Sequence, residues 1–194
     1  MRKTSRIGWC LLAFIGLVSV TTSYAQSNFD FRYVCWGSSR EEVKATENDK
    51  KPIMDTEDAL IVEDNINDLK CNVIYIFTNN KLVRAKYFIT ENFTDEYRYK
   101  SSFDELENLL TEKYGKPKKI TRYPDEYKRM PNMFGVGLST GRIAFMSSWE
   151  TSKTEIVLGL TGNNYKVQFE MQYKSLELKR LEESKNKKKA LDKL

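Results

Sequence analysis

The stretch Asn72–Ile89, NVIYIFTNNKLVRAKYFI, decides the fold. On both sides of Asn79-Asn80, apolar positions recur at every second residue, which is the period of a β-strand. Asparagine tolerates the positive φ of a tight two-residue turn, so the pattern predicts a β-hairpin. The predicted inward set is Val73, Tyr75, Phe77, Val83, Ala85, Tyr87 and Ile89. This face needs other elements to cover it.

A capped helix is predicted on each side of the hairpin. Ser38 and Ser39 each precede a glutamate by three residues, the capping-box spacing, so a short helix is expected over residues 38–47. Thr94–Tyr114 holds the clearest helix, with a second capping box at Ser102 and Glu105 and a stop at Gly115. Its apolar stripe is Phe103, Leu106, Leu109, Leu110 and Tyr114.

Three further strands are predicted after position 141, and a short one over residues 59–62. Residues 142–149, 155–161 and 165–173 alternate between apolar and polar, as an antiparallel meander with one dry face does. The expected inward residues are Ile143, Phe145, Trp149, Ile156, Leu158, Leu160, Tyr165, Val167, Phe169, Met171 and Tyr173. Residues 118–141, rich in proline and glycine, are expected to form a long loop that is either functional or a mobile connector.

These patterns predict an α+β protein, an antiparallel sheet with helices packed on one face. Residues 26–174 are expected to form a single domain with possible halves 26–93 and 94–174. A serine, a glutamate three residues on and a later proline recur in both halves, which suggests two α-β-β units around one core. Chance, or a shared capping rule, explains this weak repeat equally well.

Residues 1–25 have the organisation of a secretory signal peptide. Three basic residues in the first six positions precede an apolar stretch of about fourteen residues, and small residues at Ser23 and Ala25 predict cleavage after Ala25. The stretch is shorter than the roughly 20 residues that span a bilayer. A periplasmic or secreted protein without a transmembrane span is expected, and an uncleaved anchor is the alternative.

The charge is unevenly placed along the chain. The formal net charge is +5, but residues 174–194 hold eight basic and four acidic residues, and residues 26–173 carry about −2. A neutral body provides no field to attract nucleic acid, so no nucleic-acid partner is expected. The basic tail predicts either a contact with an anionic surface, through Lys185 and Lys187–Lys189, or a solvated terminal helix.

The chain contains no histidine, which removes the commonest general base and metal ligand. No nucleophile elbow, P-loop or dinucleotide fingerprint is present, and Gly135-Val136-Gly137 is only a fragment of the last. Cys35 and Cys71 remain after cleavage; they either form a disulfide or are separate thiols, and they make no zinc site. A non-enzyme without cofactor or metal is therefore expected.

The segment Phe31–Glu47 resembles a recurring opening of exported, mostly uncharacterised bacterial proteins: an aromatic residue, Trp-Gly, Ser, then Glu-Glu-Val. Such proteins often continue with Tyr-x-Phe-x-Asn-x-Lys-Leu, here Tyr75–Leu82. More distantly, the chain looks like the small-protein-A outer-membrane assembly lipoproteins and the β-lactamase-inhibitor-like fold. The resemblance implies a helix-then-antiparallel-strand fold and an exported setting, and it carries over no catalytic residue.

Four tyrosines, Tyr97, Tyr99, Tyr123 and Tyr127, flank residues 118–141 and are not obviously inward. They are expected to form a glycan- or peptide-binding surface, or else to be partly buried at sheet edges. The leading hypothesis is therefore a non-catalytic binding or interaction module of the bacterial envelope, with an unknown envelope protein or glycan as partner. The alternatives are a carboxylate-dependent glycan hydrolase and an anionic-surface binder acting through its basic tail.

Overall fold

The computed structural model describes residues 29–192, so the predicted signal peptide and its cleavage site lie outside the described residues. The fold is α+β, as predicted, with one antiparallel sheet. The strands are β1 Pro52–Asp55, β2 Ala59–Ile66, β3 Leu69–Thr78, β4 Lys81–Ile89, β5 Lys118–Arg122, β6 Ala144–Glu150, β7 Thr154–Asn163 and β8 Lys166–Ser175. The helices are α1 Arg40–Thr46, α2 Tyr97–Tyr114, α3 Asp125–Arg129, α4 Phe134–Ser139 and α5 Lys179–Leu191, with a 3-10 turn over Pro131–Met133.

The strand order is β1-β2-β3-β4-β8-β7-β6-β5. In each half of the described chain, a helix precedes four consecutive strands: α1 precedes β1–β4, and α2 precedes β5–β8. The halves join where β4 pairs with β8, with Ala85 opposite Tyr173. From either edge of the sheet to its centre, the four strands of one half follow each other in chain order. The sheet therefore consists of two units with four strands each.

The central hairpin forms as the sequence predicted. Asn79 and Asn80 have φ of 51° and 56°, and they link β3 to β4 in the left-handed geometry that asparagine tolerates. A bulge between Ile76 and Phe77 places Leu82 opposite Phe77. Leu82 therefore belongs to the core cluster, where Val83 was predicted to lie. Val83 is also buried, but outside that cluster.

One face of the sheet carries the core, and α1–α4 each contribute to it. Val43 of α1 is fully buried, and Phe103 of α2 reaches the rings of Phe145 and Phe169 at centroid distances of 6.0 and 6.3 Å. Burial of such side chains is worth about 1.5–3 kcal/mol each. Helices thus cover one face, as expected from the alternating strand pattern.

The capping box of α1 is confirmed, because the Ser39 side chain accepts from the Glu42 backbone and the Glu42 side chain accepts from the Ser39 backbone. The second predicted box is wrong. α2 begins at Tyr97, so Ser102 lies buried inside the helix. Leu109 is 50% exposed, since it lies at the edge of a stripe that the sheet covers only in part.

The prediction of a long loop over residues 118–141 is also wrong. The segment contains the edge strand β5, α3, the 3-10 turn and α4. Phe134 and Leu138 of α4 are buried in the core, and this burial outweighs the low helix propensity of the neighbouring glycines. The proline- and glycine-rich composition of residues 118–141 therefore led to a wrong prediction for a structured segment.

The turn between β7 and β8 differs from its prediction by about two residues. β7 extends to Asn163, and Asn164 and Tyr165 form the turn with φ of 49° and 60°. Tyr165 is 76% exposed instead of inward, and Val167 is only partly buried. Phe169, Met171 and Tyr173 are buried as predicted.

The terminal helix α5 lies on the other face of the sheet. Its buried residue Glu182 contacts Arg84 of β4, and the Lys174 Nζ of β8 lies 3.6 Å from the second carboxylate oxygen. Lys185 and Lys189 both contact Asp58, the latter at 2.7 Å. The predicted lysine cluster is thus partly engaged within the chain.

Within residues 29–192, no helix is long and apolar enough to cross a membrane.

Candidate functional site

Two features of the described residues are chemically distinctive, a partly buried ionic cluster and an aromatic groove. The ionic cluster consists of Arg32, Glu47, Lys50 and Asp64. Arg32 adopts a φ of 49° in the tight turn between Phe31 and Val34. This turn directs the guanidinium under the end of α1, where Glu47 is 3% exposed.

Charges alternate around the ionic cluster. Arg32 lies 3.1 Å from Glu47 and 2.6 Å from Asp64, and Lys50 lies 2.9 and 2.8 Å from the same two carboxylates. The Tyr75 hydroxyl donates to Glu47. Two cations face two anions, and the hydroxyl satisfies a further lone pair, so each of the four charges has a partner of opposite sign.

The electrostatics of the ionic cluster favour a structural role. Burial alone would raise the pKa of Asp64, but hydrogen bonds from Lys50 and Arg32 outweigh it and lower the pKa to about 2. Burial raises the pKa of Tyr87 to about 12, and burial together with Asp64 raises that of the Cys71 thiol to about 11. The pKa values of Asp64, Tyr87 and Cys71 are all shifted away from neutral pH, in the direction expected of a structural cluster.

Cys71 belongs to the same region. It is buried, and its thiol donates to the Asp64 carbonyl at a distance of 3.5 Å, whereas Cys35 is exposed. Among the described residues no disulfide joins Cys35 to Cys71, so the predicted bridge between these two cysteines does not form. A raised pKa keeps Cys71 in the thiol form, in which it packs as a small apolar side chain.

The aromatic groove is a cavity of about 650 Å³ where β4 ends, α2 begins and α4 crosses the β7–β8 turn. Its apolar wall comes from rings and aliphatic side chains, and its rim carries two carboxylates, an amide and one lysine. The lining residues are Phe88–Phe93, Glu96, Tyr99, Gly135, Val136, Ser139, Tyr165–Val167 and Phe169. Three separate segments of the chain therefore build it.

The four predicted tyrosines lie around this region in two different settings. Tyr99 lines the groove and meets Phe93 edge-on, with ring centroids 4.8 Å apart. Tyr97 stacks on Phe134 at 4.5 Å, and Tyr123 meets the same ring at 5.9 Å. Tyr97 and Tyr99 diverge because two positions on a helix are separated by about 200°.

Tyr127 is the most buried of these tyrosines outside the groove. It lies against Gly137 of α4, where a Cβ would come within 2.8 Å of the ring. Tyr97, Tyr123 and Tyr127 therefore hold α4 in place, and Tyr99 alone of the four lines the groove. Of the four tyrosines expected to form one surface, the structure thus brings one to the groove and places three around α4.

α4 forms one wall of the aromatic groove, and close backbone contacts hold it there. A Cβ on Gly162 would lie 2.2 Å from the Leu138 carbonyl oxygen, so the end of α4 rests directly on β7. On the other side, a Cβ on Gly135 would lie 2.7 Å from the Glu96 side chain. The absence of a side chain at Gly135 thus lets Glu96 lie against α4 at the rim.

A second hollow, of about 390 Å³, adjoins the groove. It shares Glu91, Asn92 and Phe93 with the groove and adds Asp68, Leu69, Thr94, Asp95 and Arg98. The Arg98 guanidinium lies over the Phe93 ring, 4.7 Å from its centroid. Local sequence pattern singled out none of these residues, because their proximity depends on the end of β4 meeting α2.

Groups of three or more potential metal ligands were not found among residues 29–192. Comparison of the chain with protein-family models, with curated proteins and with solved structures gives no match.

Proposed function

We propose that the protein is an exported, non-catalytic binding module of the bacterial cell envelope, and that the aromatic groove is its binding surface. The observation that carries the proposal is the concave, ring-lined groove with few polar groups at its rim. Binding sites typically combine an apolar wall with a small number of placed polar groups. Phe93, Tyr99 and Val136 supply the wall, and Glu91, Glu96 and Lys166 supply the polar groups.

The scaffold suits such a role. Tyr97, Tyr123 and Tyr127 pack α4 in place, and the sheet supports the other walls, so the groove is largely formed before a ligand arrives. A preformed site loses less conformational entropy on binding than a mobile loop does. This argument favours a binding module over a flexible connector for residues 118–141.

The export component rests on the organisation of residues 1–25 and on the resemblance of Phe31–Glu47 to the opening of exported proteins. N-terminal sequencing of the protein recovered from a bacterial periplasm or culture medium is expected to begin at Gln26. Recovery of the protein with Met1 intact in the cytoplasmic fraction would contradict this component alone.

Affinity capture tests the binding surface. Val136 is 43% exposed in the groove, and Leu109 is 50% exposed on α2 outside it. Immobilised protein is exposed to solubilised bacterial envelope, and Val136→Trp is compared with Leu109→Trp. Wild type and the Leu109 variant are expected to retain the same molecules, and the Val136 variant to lose them, since an indole would fill the groove. Identical retention by all three proteins would contradict the proposal.

The carboxylate-dependent glycan hydrolase is a second candidate, because Glu91 and Glu96 line the same groove. Such an enzyme needs one carboxylic acid with a raised pKa as proton donor. The described carboxyl groups whose pKa is clearly shifted are all lowered, namely Glu42, Asp55, Asp58, Asp64, Glu107 and Asp125. Release of reducing sugar from cell-wall glycan that Glu91→Gln or Glu96→Gln abolishes would favour the enzyme over the binding module.

The basic-tail hypothesis is weakened by the docking of α5. Lys185 and Lys189 contact Asp58, which leaves Lys187 and Lys188 for an external surface. Binding to anionic vesicles that is lost on deletion of residues 186–194 would support this hypothesis. Vesicle binding unchanged by the deletion would remove it.

A further inference from the structure

We propose that the aromatic groove and the adjoining hollow form one trough that binds an extended segment of a partner polypeptide, with lysine or arginine next to apolar side chains. The proposal rests on the groove being the binding surface, and it specifies the chemistry of the occupant. Three features of the described structure support it: the adjacency of the two cavities, the charge of their lining and the aromatic rings along them.

The two cavities are neighbours, because Glu91, Asn92 and Phe93 line both of them. One end lies at Tyr165 on the β7–β8 turn, and the other at Asp68 on the β2–β3 turn. The cavities measure about 650 and 390 Å³, well beyond the space that a single ammonium group needs. An elongated trough of this kind fits several consecutive residues of an extended chain better than a compact amine.

The charge of the trough is unbalanced. Asp68, Glu91, Asp95 and Glu96 line it, against Arg98 and Lys166. Among the ion pairs of residues 29–192, none involves these four carboxylates, whereas acids elsewhere, such as Asp55, Asp58 and Glu170, have cationic partners. Charge complementarity therefore selects a basic occupant.

The aromatic rings supply the second part of the recognition. Arg98 covers one face of the Phe93 ring, 4.7 Å from its centroid, which leaves the other rings of the trough for contacts with an occupant. Phe93 and Tyr99 meet edge-on, and Tyr165 at the far rim is 76% exposed. Such rings bind aliphatic or aromatic side chains as well as cations. In a segment with neighbouring basic and apolar residues, the basic side chains would pair with the carboxylates of the rim and the apolar side chains would pack on the rings of the wall.

Fluorescence anisotropy with labelled ten-residue peptides tests the inference. One peptide set alternates lysine or arginine with phenylalanine or leucine, and a matched set has glutamate in place of each basic residue. Wild-type protein is expected to bind members of the basic set and none of the acidic set. Glu91→Gln together with Glu96→Gln is expected to weaken binding at least about fivefold, since each charge contributes a factor of a few at an exposed site.

The control is Glu112→Gln together with Glu126→Gln, two exposed glutamates outside the trough that undergo the same charge change. This control is expected to bind the basic peptides like wild type. Failure of every basic peptide to bind, equal binding of acidic peptides, or equal weakening in the control would overturn the inference. Full competition by spermine at concentrations equal to the peptide would also overturn it, since the trough would then be a site for small amines.

The two proposals fail in different ways. If Val136→Trp abolishes capture from envelope extract but the Glu91 and Glu96 double variant changes no binding, the groove is the binding surface and its ligand is not basic. If neither variant changes capture, the groove itself is not the binding surface.

Discussion

At the scale of single residues, the most informative feature is how the buried charges are compensated. Glu47 and Asp64 share Arg32 and Lys50, and Tyr75 adds a hydroxyl donor to Glu47. Removing one member of such a set leaves a charge without its partner and strongly lowers the free energy of unfolding. Replacing the whole set by apolar side chains has a smaller effect. This set therefore links the start of the described chain to β2 and β3.

Asp64 makes this stabilisation dependent on pH. Its pKa is about 2 in the folded protein, below the 3.8 of an unperturbed side chain. Because its pKa is lowered, the Asp64 carboxylate stabilises the folded state at pH values above about 4, and this contribution is lost as the pH falls through about 2. Urea unfolding of wild type and Asp64→Asn is expected to differ by about 1–2 kcal/mol near neutral pH, after allowance for partial exposure. The difference should vanish toward pH 2, and a constant difference would contradict the assignment.

Two glycines of β7 provide a matched pair. A Cβ at Gly162 would lie 2.2 Å from the Leu138 carbonyl oxygen, whereas nothing lies within 4 Å of a Cβ at Gly159. Gly162→Ala is expected to lower the free energy of unfolding by about 1–3 kcal/mol, because backbone must move to relieve the overlap. Gly159→Ala is expected to be neutral or slightly stabilising. Chemical denaturation of both variants checks this, and equal effects would show that α4 does not rest on Gly162.

At the scale of secondary-structure elements, α2 and α5 are held by opposite means. α2 buries Phe103, Leu106 and Leu110 against the sheet. α5 buries Glu182 as its one buried residue, and charged side chains make its described contacts with the sheet. Lys185 and Lys189 add ion pairs with the half-exposed Asp58, and such pairs are worth little and are screened by salt, so α5 is expected to be the more weakly attached helix.

Hydrogen exchange followed by mass spectrometry tests the attachment of α5. Amides of Lys179–Leu191 are expected to exchange faster as salt is raised, while those of β3 and β4 keep their protection. Glu182→Gln should accelerate the same amides at low salt, because it weakens the contacts with Arg84 and Lys174. Glu183→Gln, at the exposed neighbouring position, should not, and equal acceleration by both variants would contradict the model of attachment.

At the scale of the whole molecule, the pairing of β4 with β8 merges the two halves into one sheet. The core crosses the same boundary, since the rings of Phe31 and Tyr173 lie 5.0 Å apart and the Trp36 indole donates to Thr154 at 2.8 Å. Separation of the halves would expose strand edges and aromatic surface together. Cooperative unfolding of both halves is the expected consequence.

The tryptophans report on this cooperativity. After the predicted cleavage, Trp36 lies in the first half and Trp149 in the second. Trp149→Phe leaves the first probe, and Trp36→Phe leaves the second. In each variant, the urea transition followed by tryptophan fluorescence is expected to coincide with the transition followed by far-ultraviolet circular dichroism, which reports the loss of secondary structure. A fluorescence transition that precedes the dichroism in one variant would show that the halves unfold separately.

Local sequence pattern predicted the antiparallel class, the central hairpin, the first capped helix and most inward residues of β6–β8. It succeeded there because strand alternation and capping depend on neighbouring residues, which any reader of the sequence can see. It failed for α3 and α4, whose glycine-rich sequence becomes helical only when Phe134 and Leu138 enter the core. It also misplaced the β7–β8 turn, since register depends on pairing as well as on composition.

The sequence by itself therefore determined which residues alternate, where α1 is capped and which enzyme motifs are missing. Only the tertiary structure decided that β4 pairs with β8, that α5 crosses the opposite face and that Glu91, Tyr99 and Val136 meet in one groove. The physical reason is the range of the interactions. Periodicity and capping act over a few residues, whereas strand order and groove formation depend on contacts between distant segments that form together with the core.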